Sequence, residues 1–75
     1  MIYVVSENQD LKILLITYDK KECKDFVYNW IKRNKEWLAL RSEEAIQREV
    51  QDCMNQKGFA LSVETYDKEI SGIKK

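Results

Sequence analysis

The side chains that could do chemistry in this chain fall into three groups: two thiols, Cys23 and Cys53; two carboxylate pairs, Glu43 with Glu44 and Glu49 with Asp52; and an aromatic and basic stretch from Tyr28 to Trp37. The thiols show no Cys-x-x-Cys spacing, and two cysteines alone cannot close a structural zinc site. Each falls on the apolar side of an expected helix, so both read as small core residues rather than reactive groups; facing each other across two helices, they could be joined by oxidation. Of the carboxylates, Glu43 and Glu44 diverge as sequence neighbours. Glu49 and Asp52, at i and i+3, share a solvent-facing patch that could hold a divalent ion. Such a site needs a cleft, which 75 residues hardly provide.

The chain has no histidine, which removes His-based acid–base catalysis, Ser-His and Cys-His nucleophile pairs, and the commonest zinc-ligand sets. Neither Gly58 nor Gly72 belongs to a Gly-rich phosphate-binding loop. The expectation is a protein that is not an enzyme and carries no cofactor and no metal.

The third group points to nucleic acid: Lys32, Arg33 and Lys35 for phosphates and Trp37 for a base. Against it, Trp30 and Ile31 fall on an apolar helical stripe, and the cations sit where the C-terminal end of a helix favours positive charge. Thirteen basic residues are matched by thirteen acidic ones, without the positive excess usual for binders of this size. Nucleic-acid binding through residues 28–37 is therefore the alternative reading.

These groups must be positioned by a small set of elements. Ile2–Ser6 and Leu11–Tyr18 are rich in Ile, Val, Leu and Tyr and are separated by the polar Glu7–Asp10, which predicts a β-hairpin. Asp19 stands at a helix N-cap with Glu22 three residues on, a variant capping box. Cys23, Phe26, Val27, Trp30 and Ile31 then recur at helical spacing, predicting a helix over 20–33 ended by Asn34. Ser42 before Glu43 and Glu44 caps a second helix over 43–57, with Gly58 at its left-handed C-terminal position and Phe59 packed on Met54. Residues 37–41 read as a short strand or extended connector. From Phe59 the apolar period becomes two, so a half-buried strand follows.

The order β-β-α-(β)-α-β predicts an α+β fold: a small antiparallel or mixed sheet of three or four strands with two helices on one face. One domain over 1–71 and a frayed tail over 72–75 are expected. The strand 11–18 is apolar on both sides, with Ile13, Leu15 and Thr17 facing the helices. Leu14, Ile16 and Tyr18 face the other way, beside Tyr66. That uncovered face is the expected contact surface for a protein partner, with Leu14, Ile16, Tyr18 and Tyr66 as its apolar part.

Charge is distributed unevenly: Lys12–Arg41 carries eight basic and four acidic residues, Ser42–Ile73 three and seven, so the molecule is electrically dipolar. The first ten residues have neither a basic start nor a long apolar stretch, so a reducing cytosol is expected, and no run approaches the ~20 residues that cross a bilayer. A compact, dipolar α+β domain without histidine or proline resembles, at the level of class alone, the accessory and inhibitor proteins of phages and other mobile elements. The expected function is a non-enzymatic protein–protein interaction module that docks on a larger protein or pairs as a homodimer.

One sequence feature repeats. Thr-Tyr-Asp-Lys occurs at 17–20 and again at 65–68. In the first copy Asp19 and Glu22 cap a helix; in the second Ile70 stands where the glutamate would be. The copies therefore mark two strand ends rather than a shared chemical motif.

Overall fold

A computed structural model describes residues 1–8 and 12–66. The chain forms β1 (Ile2–Glu7), β2 (Ile13–Thr17), α1 (Lys20–Arg33), α2 (Glu43–Met54) and β3 (Leu61–Tyr66). The sheet is antiparallel throughout, in the order β2-β1-β3. The first strand is thus the central one, and β2, which reads as central from its two apolar faces, lies at an edge.

Register explains the layering. Tyr3 pairs with Thr17 and with Thr65, and Val5 pairs with Leu15 and with Val63. Because side chains alternate along a strand, this set shares one face, and both helices pack on it: α1 over β2 and β1, α2 over β3. Val5, Leu61 and Val63 meet Cys23, Val27 and Ile31 of α1 and Ile46, Val50 and Cys53 of α2 in a single buried cluster. Each such aliphatic side chain contributes about 1.5–3 kcal/mol when fully buried.

Both helix starts follow their cap residues. Ser42 Oγ accepts the Ala45 amide proton at 3.1 Å, and Asp19 Oδ1 accepts that of Lys21 at 2.9 Å. The expected reach of Glu22 back to the Asp19 amide is replaced by a relay through Thr17. The Asp19 amide donates to Thr17 Oγ1 at 3.1 Å, and the Thr17 hydroxyl donates to the Glu22 carboxylate. The strand end and the helix start are thereby one hydrogen-bonded unit.

Both helix ends depart from expectation. α2 stops at Met54, three residues early, because Gln56 rather than Gly58 adopts the left-handed conformation, with φ 65°. The Gln56 amide donates to Cys53 O at 3.0 Å and that of Lys57 to Asp52 O at 2.7 Å, the pair of bonds that defines a Schellman motif. Residues 37–41 are not a strand. The Leu38 amide donates to Asn34 O (2.9 Å), that of Ala39 to Glu36 O (3.1 Å) and that of Leu40 to Lys35 O (2.8 Å). Ala39 is left-handed, with φ 60°. The extra helical turn closes on itself as α2 does, while Leu38 and Leu40 pack on the core. The alternation Trp37-Leu38-Ala39-Leu40 thus reflects turn packing, not extended chain. The expected tail, 72–75, lies outside the described residues.

Candidate interaction surface

The sheet face away from the helices carries three rows of side chains. The register places Ile2 beside Tyr66, Val4 between Ile16 and Glu64, and Ser6 between Ile13 and Ser62. Tyr18 lies one step beyond the last paired residue of β2, on the Ile2 side. The face is therefore apolar at the Ile2 end and along the β2 edge, from Tyr18 through Ile16 to Ile13, and polar along β3 at Ser62 and Glu64. The Ser62 hydroxyl donates to Asn8 Oδ1, and Asn8 Nδ2 donates to Phe59 O at 2.8 Å, which pins the start of β3.

Three of the four residues expected to form the apolar contact are accessible: Ile16 at 59%, Tyr18 at 71% and Tyr66 at 45%. The fourth, Leu14, is half-buried and packs against the core cluster, whereas Ile13, expected on the helix side, is exposed. A bulge causes the exchange. Between Val5 and Ser6 the register slips, Val5 pairing with Leu15 but Ser6 with Ile13, and the extra residue breaks the alternation of faces. Ile13 takes the place of Leu14, and Ile2 and Val4, half-buried on the central strand, complete the patch. Pairing that makes β1 the inner strand could have found them only with the register in hand.

Among the described residues, the one charge that the register places on this face, Glu64, is tied to its neighbour. The Tyr66 hydroxyl donates to Glu64 Oε1 at 2.6 Å, and that hydrogen bond, followed by the carboxylate's charge, raises the phenol above its ordinary value of 10.0. Tyr66 thus presents a protonated, oriented hydroxyl.

The residues of the nucleic-acid reading lie at the opposite end of the strands. Trp37 is 67% exposed and Phe59 59% exposed. They share a hollow of about 210 Å³ with Glu7, Asn8, Trp30, Leu38 and Ala60. Lys32 and Lys35 line a neighbouring hollow with Arg41, but Glu36 and Glu43 line it as well. Lys32 Nζ stands 5.5 Å from the centre of the Tyr28 ring, whose hydroxyl donates to Glu43 Oε2 at 2.6 Å. Arg33 lines a separate shallow surface with Phe26, Asn29 and Lys32. The structure therefore brings Lys32 and Lys35 together and sets Trp37 on the other side of the turn.

No family model matches the chain, and no curated protein or solved structure matches it.

The remaining candidate groups are absorbed by the fold. Glu49, expected to share a solvent-facing patch with Asp52, is buried. Its Oε2 accepts the amide protons of Phe59 at 2.7 Å and Ala60 at 2.8 Å and the Cys53 thiol at 3.4 Å. Among the described residues no cluster of three or more His, Cys, Asp or Glu side chains could hold a metal ion. Cys23 and Cys53 are both buried as free thiols. Burial raises the Cys23 thiol above its ordinary 9.0. Burial, reinforced by Glu49, pushes that of Cys53 up to about 12. Both therefore stay protonated and poorly nucleophilic at neutral pH. Among the described residues, no helix is long and apolar enough to cross a membrane.

Proposed function

We propose that the protein is a non-enzymatic interaction module of the cytosol, which works by covering its open sheet face against another protein surface, in the manner of a small accessory or inhibitor protein. The observation that carries this reading is the contiguous Ile2, Val4, Ile16, Tyr18 and Tyr66 patch on a face that neither helix covers. Two accessible tyrosines supply rigid amphipathic contact area of the kind interfaces favour. The test is capture from host lysate with tagged wild type and tagged Ile16→Glu side by side. A protein retained by the wild type and lost from the variant supports the reading. Equal retention by both, or by neither, overturns it.

A second reading, nucleic-acid binding, is favoured by one observation: Lys32 and Lys35, which make no ion pair among the described residues, line one hollow, with an accessible Trp37 across the turn. Quenching of tryptophan fluorescence by a single-stranded oligonucleotide at about 50 mM salt, lost in Trp37→Phe, would establish it.

A further inference from the structure

We infer that the occupant of the open sheet face is a second copy of this chain, related by a two-fold axis that runs along β1. This rests on the reading of that face as an interaction surface and goes beyond it by naming the partner and its orientation.

The argument is symmetry applied to the observed rows. A two-fold axis lying in the interface parallel to the strands carries each row onto itself and exchanges the two edges. β1 then faces β1, and β2 faces β3 of the second copy. The Tyr18–Ile2–Tyr66 row meets its own reverse, and so does the Ile13–Ser6–Ser62 row, which sets Ile13 opposite Ser62 of the second copy. Stacked sheets within about 30° of parallel are the commonest way for two such faces to pack. An axis running across the strands would instead set β2 on β2.

Charge selects between the two axes. The flank formed by β2 and α1, from Lys12 to Arg33, holds six cations and three anions, a net of +3. The flank formed by α2 and β3, from Glu43 to Tyr66, holds two cations and five anions, a net of −3. Because α1 lies over β2 and β1 and α2 over β3, opposite charge occupies opposite sides of the sheet. The axis along β1 lays positive flank over negative flank twice, whereas the crosswise axis lays like on like. Opposed potentials of this kind orient the encounter and penalise the wrong arrangement. In the favoured arrangement Ile16 comes opposite Glu64 of the second copy, whose carboxylate already accepts the Tyr66 hydroxyl. Tyr18 comes opposite Tyr66 of the second copy.

The area sets the strength. Three strands about 4.8 Å apart and about 20 Å long offer a footprint of roughly 300 Å², well below the ~800 Å² per partner of a standard stable interface. The dimer is accordingly a weak, transient one.

Sedimentation equilibrium on the full chain, from about 10 μM to about 1 mM, should show a reversible monomer–dimer equilibrium. Ile16→Glu, at an exposed position, should weaken it more than tenfold while leaving the far-ultraviolet spectrum unchanged. Orientation is read with Tyr18→Cys and Tyr66→Cys, mixed and treated with a short bis-maleimide; the buried native thiols do not compete. The expected product links one variant to the other, with little linkage within Tyr18→Cys alone. A monomer at the highest concentration, a dimer indifferent to Ile16→Glu, or preferential Tyr18→Cys self-linkage would each overturn the inference. A monomer that still captures a different protein in an Ile16-dependent manner would overturn it and leave the proposed function standing.

Discussion

Glu49, in the middle of α2, accepts the amide proton of Phe59 at 2.7 Å, so one carboxylate ties the second helix to the segment that leads into β3. The same oxygen takes the next amide, that of Ala60, at 2.8 Å. Gly58 makes the approach possible. A Cβ there would lie 2.8 Å from both Cys53 N and Glu49 Oε2 and would collide with Cys53 Sγ. The glycine serves close packing rather than a left-handed turn, since no described glycine has positive φ.

Removing that acceptor leaves two amides without a partner, one of them fully inside the fold. Glu49→Ala is expected to cost about 2–4 kcal/mol, and Glu49→Gln, whose carbonyl oxygen can still accept, less than half of that. Urea denaturation of the two variants checks the order. Equal losses would mean that side-chain packing, not the pair of hydrogen bonds, gives Glu49 its weight.

Much of the fold is legible in the residues because local and global signals agree. Asp19 and Ser42 cap the helices they announce, and the 3.6-residue stripe of α1 supplies Cys23, Val27 and Ile31 to the core. Where legibility fails, tertiary context decides. Residues 37–41 alternate like a strand, but a turn can bury Leu38 and Leu40 just as well. Gly58 carries the usual mark of a helix end, yet it is needed two residues later for its missing side chain. The open face was legible in Ile16, Tyr18 and Tyr66, since strand alternation alone separates them from Thr17 and Thr65. Leu14 was misplaced because a bulge leaves no mark in composition, and Ile2 and Val4 because strand order is a non-local property.

Among the described residues, two non-glycine residues hold left-handed backbone, Ala39 with φ 60° and Gln56 with φ 65°. An L side chain in that region costs roughly 1–2 kcal/mol that glycine avoids, part of which glycine's extra freedom in the unfolded chain takes back. Ala39→Gly and Gln56→Gly are each expected to raise stability by about 0.5–1 kcal/mol, and to add when combined because they close separate helices. The gain at Gln56 is the smaller of the two, since its side-chain Nε2, lost in the glycine variant, donates to Thr65 Oγ1 at 3.3 Å. Thermal melts of the single and double variants test both statements.

The two threonines of the repeated tetrapeptide flank Tyr3 in the register, yet their hydroxyls have unequal partners. Thr17 accepts the Asp19 amide and donates to Glu22, joining β2 to the first turn of α1. Among the described residues, Thr65 receives only the Gln56 side chain. Thr17→Val, which keeps the shape and removes the hydroxyl, is expected to cost about 1–2 kcal/mol, and Thr65→Val about 0.5 kcal/mol or less. Hydrogen exchange at the start of α1 should accelerate in the first variant alone.

The buried thiols make stability fall in alkali. In the folded chain the Cys53 thiol is pushed up to about 12, against an ordinary 9.0 for an unfolded cysteine, and Cys23 shifts the same way. Below 9.0 both states keep the proton and the contribution is fully present. Between 9.0 and about 12 the unfolded chain has released a proton that the native state retains, so stability declines with rising pH. Tyrosines and lysines also titrate at high pH, so the informative quantity is the difference from Cys53→Ala. The urea midpoint should drop between about pH 8 and about pH 10.5 in the wild type and drop less steeply in the variant, even though the variant, with a small cavity, starts lower. At about pH 8 a thiol reagent should modify Cys53 only as fast as the protein opens. Parallel slopes for wild type and Cys53→Ala would place the alkaline loss in other groups.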